Sequence, residues 1–198
     1  TALEKGYGGI DVDFEFIFPE QAEAYADFVA LLRRRANALG LEVVVALAPK
    51  TSADQAGVLY QGHNYRLLGE AANAVLLMTY EWGYTYGPPM AVAPIDAVKR
   101  VLDYAVTEIP PEKIFMGFPN YAYDWTLPFV TGESRATSIS NPEAVALAVR
   151  MGAEIQFDEK AQTPYFHYTD DRGMVHEVWF EDPRSCLAKF DLAASYGF

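Results

Sequence analysis

Apolar and polar residues alternate strictly over 9–16, Gly-Ile-Asp-Val-Asp-Phe-Glu-Phe. Side chains along a strand point alternately to opposite faces. The run therefore predicts a strand with Asp11, Asp13 and Glu15 on one face, and Ile10, Val12, Phe14 and Phe16 on the other. The period then changes. Pro19 suits the first turn of a helix, where a missing N–H does no harm. Ala22, Tyr25, Phe28, Val29 and Leu32 follow as a stripe at helical spacing that closes near Gly40. The run 41–47, Leu-Glu-Val-Val-Val-Ala-Leu, is nearly all apolar, as buried parallel strands are. The same patterns predict a loop over 48–61, a short helix over 65–72, a strand over 74–80 and a long loop over 81–94. A helix over 95–109 and a strand over 114–118 complete this stretch. Strands alternating with helices argue for an α/β frame with a parallel sheet.

After Asn120 the pattern breaks. An aromatic loop over 121–125 precedes a helix near 142–151 and strand-like pieces at 154–157, 164–168 and 175–180. Asp170-Asp171-Arg172-Gly173 reads as a hairpin turn. A last helix runs over 183–195. Four strand–helix units are present, whereas a (β/α)8 barrel has eight and takes ~250 residues. The expectation is a partial (β/α)8 TIM barrel. Residues 1–120 carry its strands and helices, 121–182 form a loop and a small α+β insertion, and 183–198 supply a barrel helix.

Composition narrows the partners. With 198 residues, 51% of them hydrophobic, the chain can bury a full core. Its net charge of -12 repels phosphate, which argues against nucleic acid and anionic membrane surfaces as partners. No apolar run approaches the ~18 residues of a membrane span. The amino end has no signal-peptide pattern and no initiator Met, and reads as a processed or excised piece. A single cysteine, Cys186, rules out an internal disulfide framework and reads as a core residue. His63, His167 and His176 lack metal-ligand spacing and read as structural.

The acidic run carries the candidate chemistry. Neighbouring carboxylates repel, and burying them is costly unless they share protons or hydrogen bonds. Glu15 lies nearest the carboxyl end of its strand, where barrels place their active sites. It is the candidate general acid. Asp13 lies ~7 Å behind it, placed to share a proton or hold a substrate group. Asp11, deeper still, steadies Asp13. A bound Ca²⁺ or Mg²⁺ is the alternative use of such a cluster. Trp82, Tyr86, Tyr121, Tyr123 and Trp125 follow predicted strands and serve either as sugar-stacking platforms or as core. Asp124 either binds a sugar hydroxyl or caps a turn.

Gly9-Ile10-Asp11-Val12-Asp13-Phe14-Glu15 resembles the DxxDxDxE signature of glycoside hydrolase family 18, the chitinase-like (β/α)8 barrels. Met78-Thr79-Tyr80-Glu81-Trp82 resembles the family's MxYD segment, and Gly117-Phe118-Pro119-Asn120-Tyr121 the start of its loop after strand seven. Ala48-Pro49-Lys50-Thr51, 123–128 and Val178-Trp179-Phe180-Glu181-Asp182 are most similar to the family's bacterial spore-cortex-lytic N-acetylglucosaminidases. Gly8 stands where the signature has its first Asp, and Glu81 where MxYD has its last residue. The resemblance implies strands four to seven of the barrel, with strands one to three and eight absent, so the two open sheet edges invite self-association. It also implies a polysaccharide substrate, no cofactor, no metal, and a spore-associated or extracytoplasmic location. The implied reaction is substrate-assisted hydrolysis with retention, with Glu15 as acid, Asp13 orienting the acetamido group and Tyr80 binding its oxygen. Asp11, Glu81, Trp82, Tyr121, Tyr123, Asp124 and Trp125 are the supporting or substrate-binding candidates. A non-catalytic carbohydrate-binding relative and a chitinase are the alternatives.

Overall fold

The structure is a computed structural model that describes all 198 residues. It divides into two compact units. The first comprises Thr1–Thr79, Arg100–Gly117 and Ala193–Phe198, and the second Tyr80–Lys99 and Phe118–Leu192. No helix is long and apolar enough to cross a membrane.

The first unit is built on a parallel sheet of β1 (Gly9–Val12), β2 (Glu42–Leu47), β3 (Ala74–Leu77) and β4 (Ile114–Met116), in that order. Val43, Val45, Val75 and Leu77 are wholly buried, which is why these short strands read as apolar runs. Helix α1 (Ala22–Asn37) buries Tyr25, Ala26, Val29 and Ala36. Helix α2 (Tyr65–Ala71) is capped by Asn64, whose side chain accepts the Leu67 N–H at 3.0 Å. Helix α3 (Ile95–Glu108) starts in the second unit and ends in the first.

The strand expected over 9–16 stops at Val12. The alternation is real as far as it goes, with Asp11 exposed and Val12 buried. Beyond it the backbone bends. Phe16 has φ 57, a left-handed conformation that strand pairing does not allow. Phe14 still packs outward, stacked on Tyr25 at 5.8 Å and Phe28 at 5.7 Å from α1. Asp13 and Glu15 therefore lie on an irregular segment after β1, and both are exposed.

The second unit holds an antiparallel sheet of β5 (Tyr121–Thr126), β6 (Thr137–Ser140), β7 (Gln156–Asp158), β8 (Thr163–Thr169) and β9 (Val175–Trp179). The strand order is β6-β5-β9-β8-β7. The aromatic stretch expected as a loop is thus a strand, and β6 was not anticipated. The short polar run Thr-Ser-Ile-Ser carries one apolar residue, and pairs only because β5 offers it an edge, Ala122 opposite Ile139. One face of the sheet, with Ala122, Phe166 and Val178, packs on Ala144, Leu147 and Ala148 of helix α4 (Asn141–Met151). The other face packs Tyr123, Trp125 and Trp179 against Ala91, Val92 and Ala136. The β8–β9 turn lies at 170–173, where Asp170 Oδ1 accepts the Arg172 and Met174 N–H groups. Helix α5 (Pro183–Tyr196) follows. Its Lys189 reaches Glu181 at 2.9 Å, with both side chains 1% exposed.

Candidate active site

Within the first unit, Asp11 is on β1 and Asp13 and Glu15 follow its carboxyl end. Burial, and next the charge of Asp13, hold the Asp11 carboxyl above the usual range. Tyr25 on α1 has its phenol pushed up to about 12, by burial first and also by the charges of Asp13 and Asp11. Of the three acids expected on one strand face, only Asp11 lies on the strand; Asp13 and Glu15 follow it as exposed residues.

Within the second unit, Tyr80, Glu81 and Trp82 open the loop that follows β3. Tyr80 packs against the aromatic face of the antiparallel sheet. Glu81 has φ 67, uncommon for a residue with a side chain and costing about 1–3 kcal/mol. Its carboxylate is gripped from β5: Tyr121 donates to Oε1 at 2.5 Å, and Tyr123 to Oε1 at 3.1 Å and Oε2 at 3.3 Å. Tyr121's phenol is pushed well above its ordinary value by burial and then by this bond. The loop is held elsewhere too. Trp82 and Gly83 donate their N–H groups to Val92 and Ala91, and the Trp125 indole N–H bonds the Gly87 carbonyl at 2.8 Å.

These contacts sort the candidates. Tyr121 and Trp82 are both partly exposed. Trp125, read as a possible sugar platform, is 1% exposed and belongs to the core. Tyr123, 6% exposed, serves Glu81 rather than a ring-stacking surface. Asp124 lies on the opposite face of β5, as strand alternation requires. It neither stands free nor caps a turn: it accepts from Tyr168 at 2.7 Å and pairs with His176 Nδ1 at 2.8 Å. The sequence reading missed these long-range bonds, and it took His63 as structural without the bond its ring makes to the backbone beside Glu15. No group of three or more His, Cys, Asp or Glu side chains is placed to hold a metal ion.

The family model for glycosyl hydrolases family 18 matches residues 3–198. The chain belongs to this family. It is 50% identical over 192 residues to the cortical fragment-lytic enzyme of Bacillus subtilis, covering 97% of this chain and 44% of that protein. The spore cortex-lytic enzyme SleL of Bacillus cereus superposes with a TM-score of 0.95 at 43% identity, over 100% of this chain and 45% of that one. A chitinase from Chromobacterium violaceum gives 0.89 at 31% identity, over 100% of this chain and 61% of that one. The chain thus spans less than half the length of its cortex-lytic relatives. Family 18 and its chitinase neighbours imply a TIM-barrel type of fold; the four parallel strands form an open sheet, not a closed barrel.

Proposed function

We propose that this family 18 chain carries the catalytic segment of a glycosidase that cleaves N-acetylglucosaminyl bonds in spore cortex peptidoglycan. The observation that carries the reading is the run of acids at the carboxyl end of a parallel strand, Asp11 on β1 and the exposed Asp13 and Glu15 directly after it. In this reading β1–β4 are strands four to seven of a (β/α)8 barrel, and the antiparallel sheet is an insertion after the seventh. The protein acts at the spore, as the names of its relatives suggest.

The chemistry follows from charge. Breaking a glycosidic bond builds positive charge at the anomeric carbon and needs a proton at the leaving oxygen. Glu15 gives that proton. The acetamido oxygen of the substrate attacks the anomeric carbon and displaces the sugar alcohol with retention through a second inversion. Asp13 orients the acetamido N–H and stabilises the cation that forms there. Asp11, sharing charge with Asp13, steadies it through the cycle. Tyr80 donates to the acetamido oxygen. Glu15 then takes a proton from the water that opens the ring.

The test is Glu15→Gln in the intact protein, assayed for reducing ends released from cortex fragments. Loss of about 10²-fold or more in kcat is expected from removing the acid. Because Glu15 is exposed, its thermal midpoint should stay unchanged, which separates chemistry from folding. Undiminished release would end the assignment.

A further inference from the structure

The β1–β2 ladder contains a side chain in place of a rung. In a parallel pair the bonds recur every second residue. The ladder opens with the Glu42 N–H donating to the Gly8 carbonyl. The paired register ends at Val12 with Val45, and continued in step it would bring the Phe14 carbonyl to the Ala48 N–H, the third rung after this one. They do not meet. The His63 imidazole stands between them, Nδ1 at 2.8 Å from the Ala48 nitrogen and Nε2 at 2.9 Å from the Phe14 oxygen. Two hydrogen bonds and the width of a ring replace one hydrogen bond.

The tautomer is settled by the partners. A backbone N–H only donates and a carbonyl only accepts. Nδ1 is therefore bare and Nε2 carries the proton, which makes the ring neutral. His63 is fully buried. Burial holds its pKa below the ordinary histidine value, with the Phe14 bond and the Asp13 charge opposing and the Lys50 charge assisting. The Tyr25 ring faces it at 6.1 Å from α1. Protonating His63 would turn Nδ1 into a donor against another donor.

The wedge is itself braced. Lys50 Nζ donates to the His63 carbonyl at 3.2 Å and to the Ala53 carbonyl at 3.1 Å. The Ala48 carbonyl accepts from Tyr65 at 2.6 Å, so residue 48 is held through both its N–H and its carbonyl. Gly62 lies so close to the acidic segment that a Cβ there would meet the Ile17 oxygen at 2.1 Å. The 61–64 turn is thus fitted against residues 14–17 by both a bond and a contact that only glycine allows.

We infer that His63 is a positioning residue: its neutral ring prises the continuation of β1 away from β2 and sets the path of the backbone that carries Asp13 and Glu15. This rests on the assignment of Glu15 as the acid. It predicts an effect on turnover rather than on substrate binding, since His63 touches only backbone on that segment.

The experiment compares His63→Leu and His63→Gln in the intact protein, with ¹⁵N spectra of the wild-type imidazole. A glutamine amide can accept at one end and donate at the other, and does not titrate. The Leu variant should lose about tenfold to a hundredfold in kcat with KM within threefold. The Gln variant should recover most of it, and its kcat should fall less steeply on the acid side. The spectra should show a bare Nδ1 and a protonated Nε2. A Leu variant with wild-type kcat and pH profile, while Glu15→Gln is inactive, overturns the wedge and leaves the active-site assignment standing. An active Glu15→Gln variant overturns that assignment instead and leaves the tautomer result intact. Should the Leu variant fail to fold, the Gln pH profile and the spectra decide. An Nδ1-protonated ring, or a Gln variant with the wild-type acid limb, refutes the proposal.

Discussion

Lys189→Met isolates what a buried charge does to this fold. Lys189 and Glu181 sit 2.9 Å apart with both side chains sealed from solvent. Only Oε2 of Glu181 is bonded, and Oε1 has no partner. Methionine nearly matches lysine in length, so the substitution removes the ammonium without opening a large hole. What remains is a buried carboxylate without its counter-charge. Breaking such a pair costs about 3–5 kcal/mol. For a protein of this size each kcal/mol moves the midpoint by roughly 2–4 °C, which gives a fall of about 6–20 °C. An exposed pair such as the amino terminus with Glu4 would change by less than about 1 kcal/mol. The pH dependence carries a sign. Burial already holds the Glu181 carboxyl above its ordinary value, with the Lys189 charge opposing. Without Lys189 the upward push grows. A raised carboxyl is best tolerated below its unfolded value, and its contribution to stability is lost as pH rises through the folded one. The deficit should therefore be largest at neutral pH and shrink towards pH 5. Calorimetry of wild type and variant at both values is the assay. A loss below about 1 kcal/mol, or a gap that does not change with pH, would refute the reasoning.

Other outcomes follow from the same contacts. Trp125→Phe leaves the Gly87 carbonyl without its indole donor and should cost about 1–3 kcal/mol by urea titration. Tyr121→Phe removes the shorter of the bonds to Glu81 and should weaken binding or turnover more than Tyr123→Phe, whose bonds are longer and split, as paired kinetic assays would show. His63 contributes stability above the ordinary histidine range that is lost as pH falls below it. The thermal midpoint of His63→Gln should accordingly decline less than that of wild type between pH 7.5 and 5.5.

The first half of the fold was legible because its signals are local. The apolar run of β2, the stripe on α1 and the alternation at Asp11 and Val12 each state a period that tertiary packing then keeps. The end of β1 was not legible. Residues 13–16 continue the alternating pattern, yet a ring from 47 residues beyond Phe16 interrupts the pairing, and no local signal announces it. The aromatic run 121–125 misled in the other direction. Read as a loop, it hid the fact that Asp124 and Trp125 must face opposite ways, and so have different partners. The acids stand out as candidates in the sequence because carboxylates beside apolar residues are a chemical signal. His63 reads there only as structural, because a lone histidine does not announce its partners.

Strand β5 acts as a ruler for the second unit. Its odd-numbered residues grip Glu81 and the loop at Gly87, while Ala122 lines the packing against α4 and Asp124 meets His176. Substitutions there would each disturb one contact. Deleting or inserting a single residue within 121–126 would exchange the two sets wholesale, delivering indole and phenols to a space shaped for alanine. Length variation in this part of the family is therefore expected to collect in the turns, such as 170–173, and to be absent from this strand.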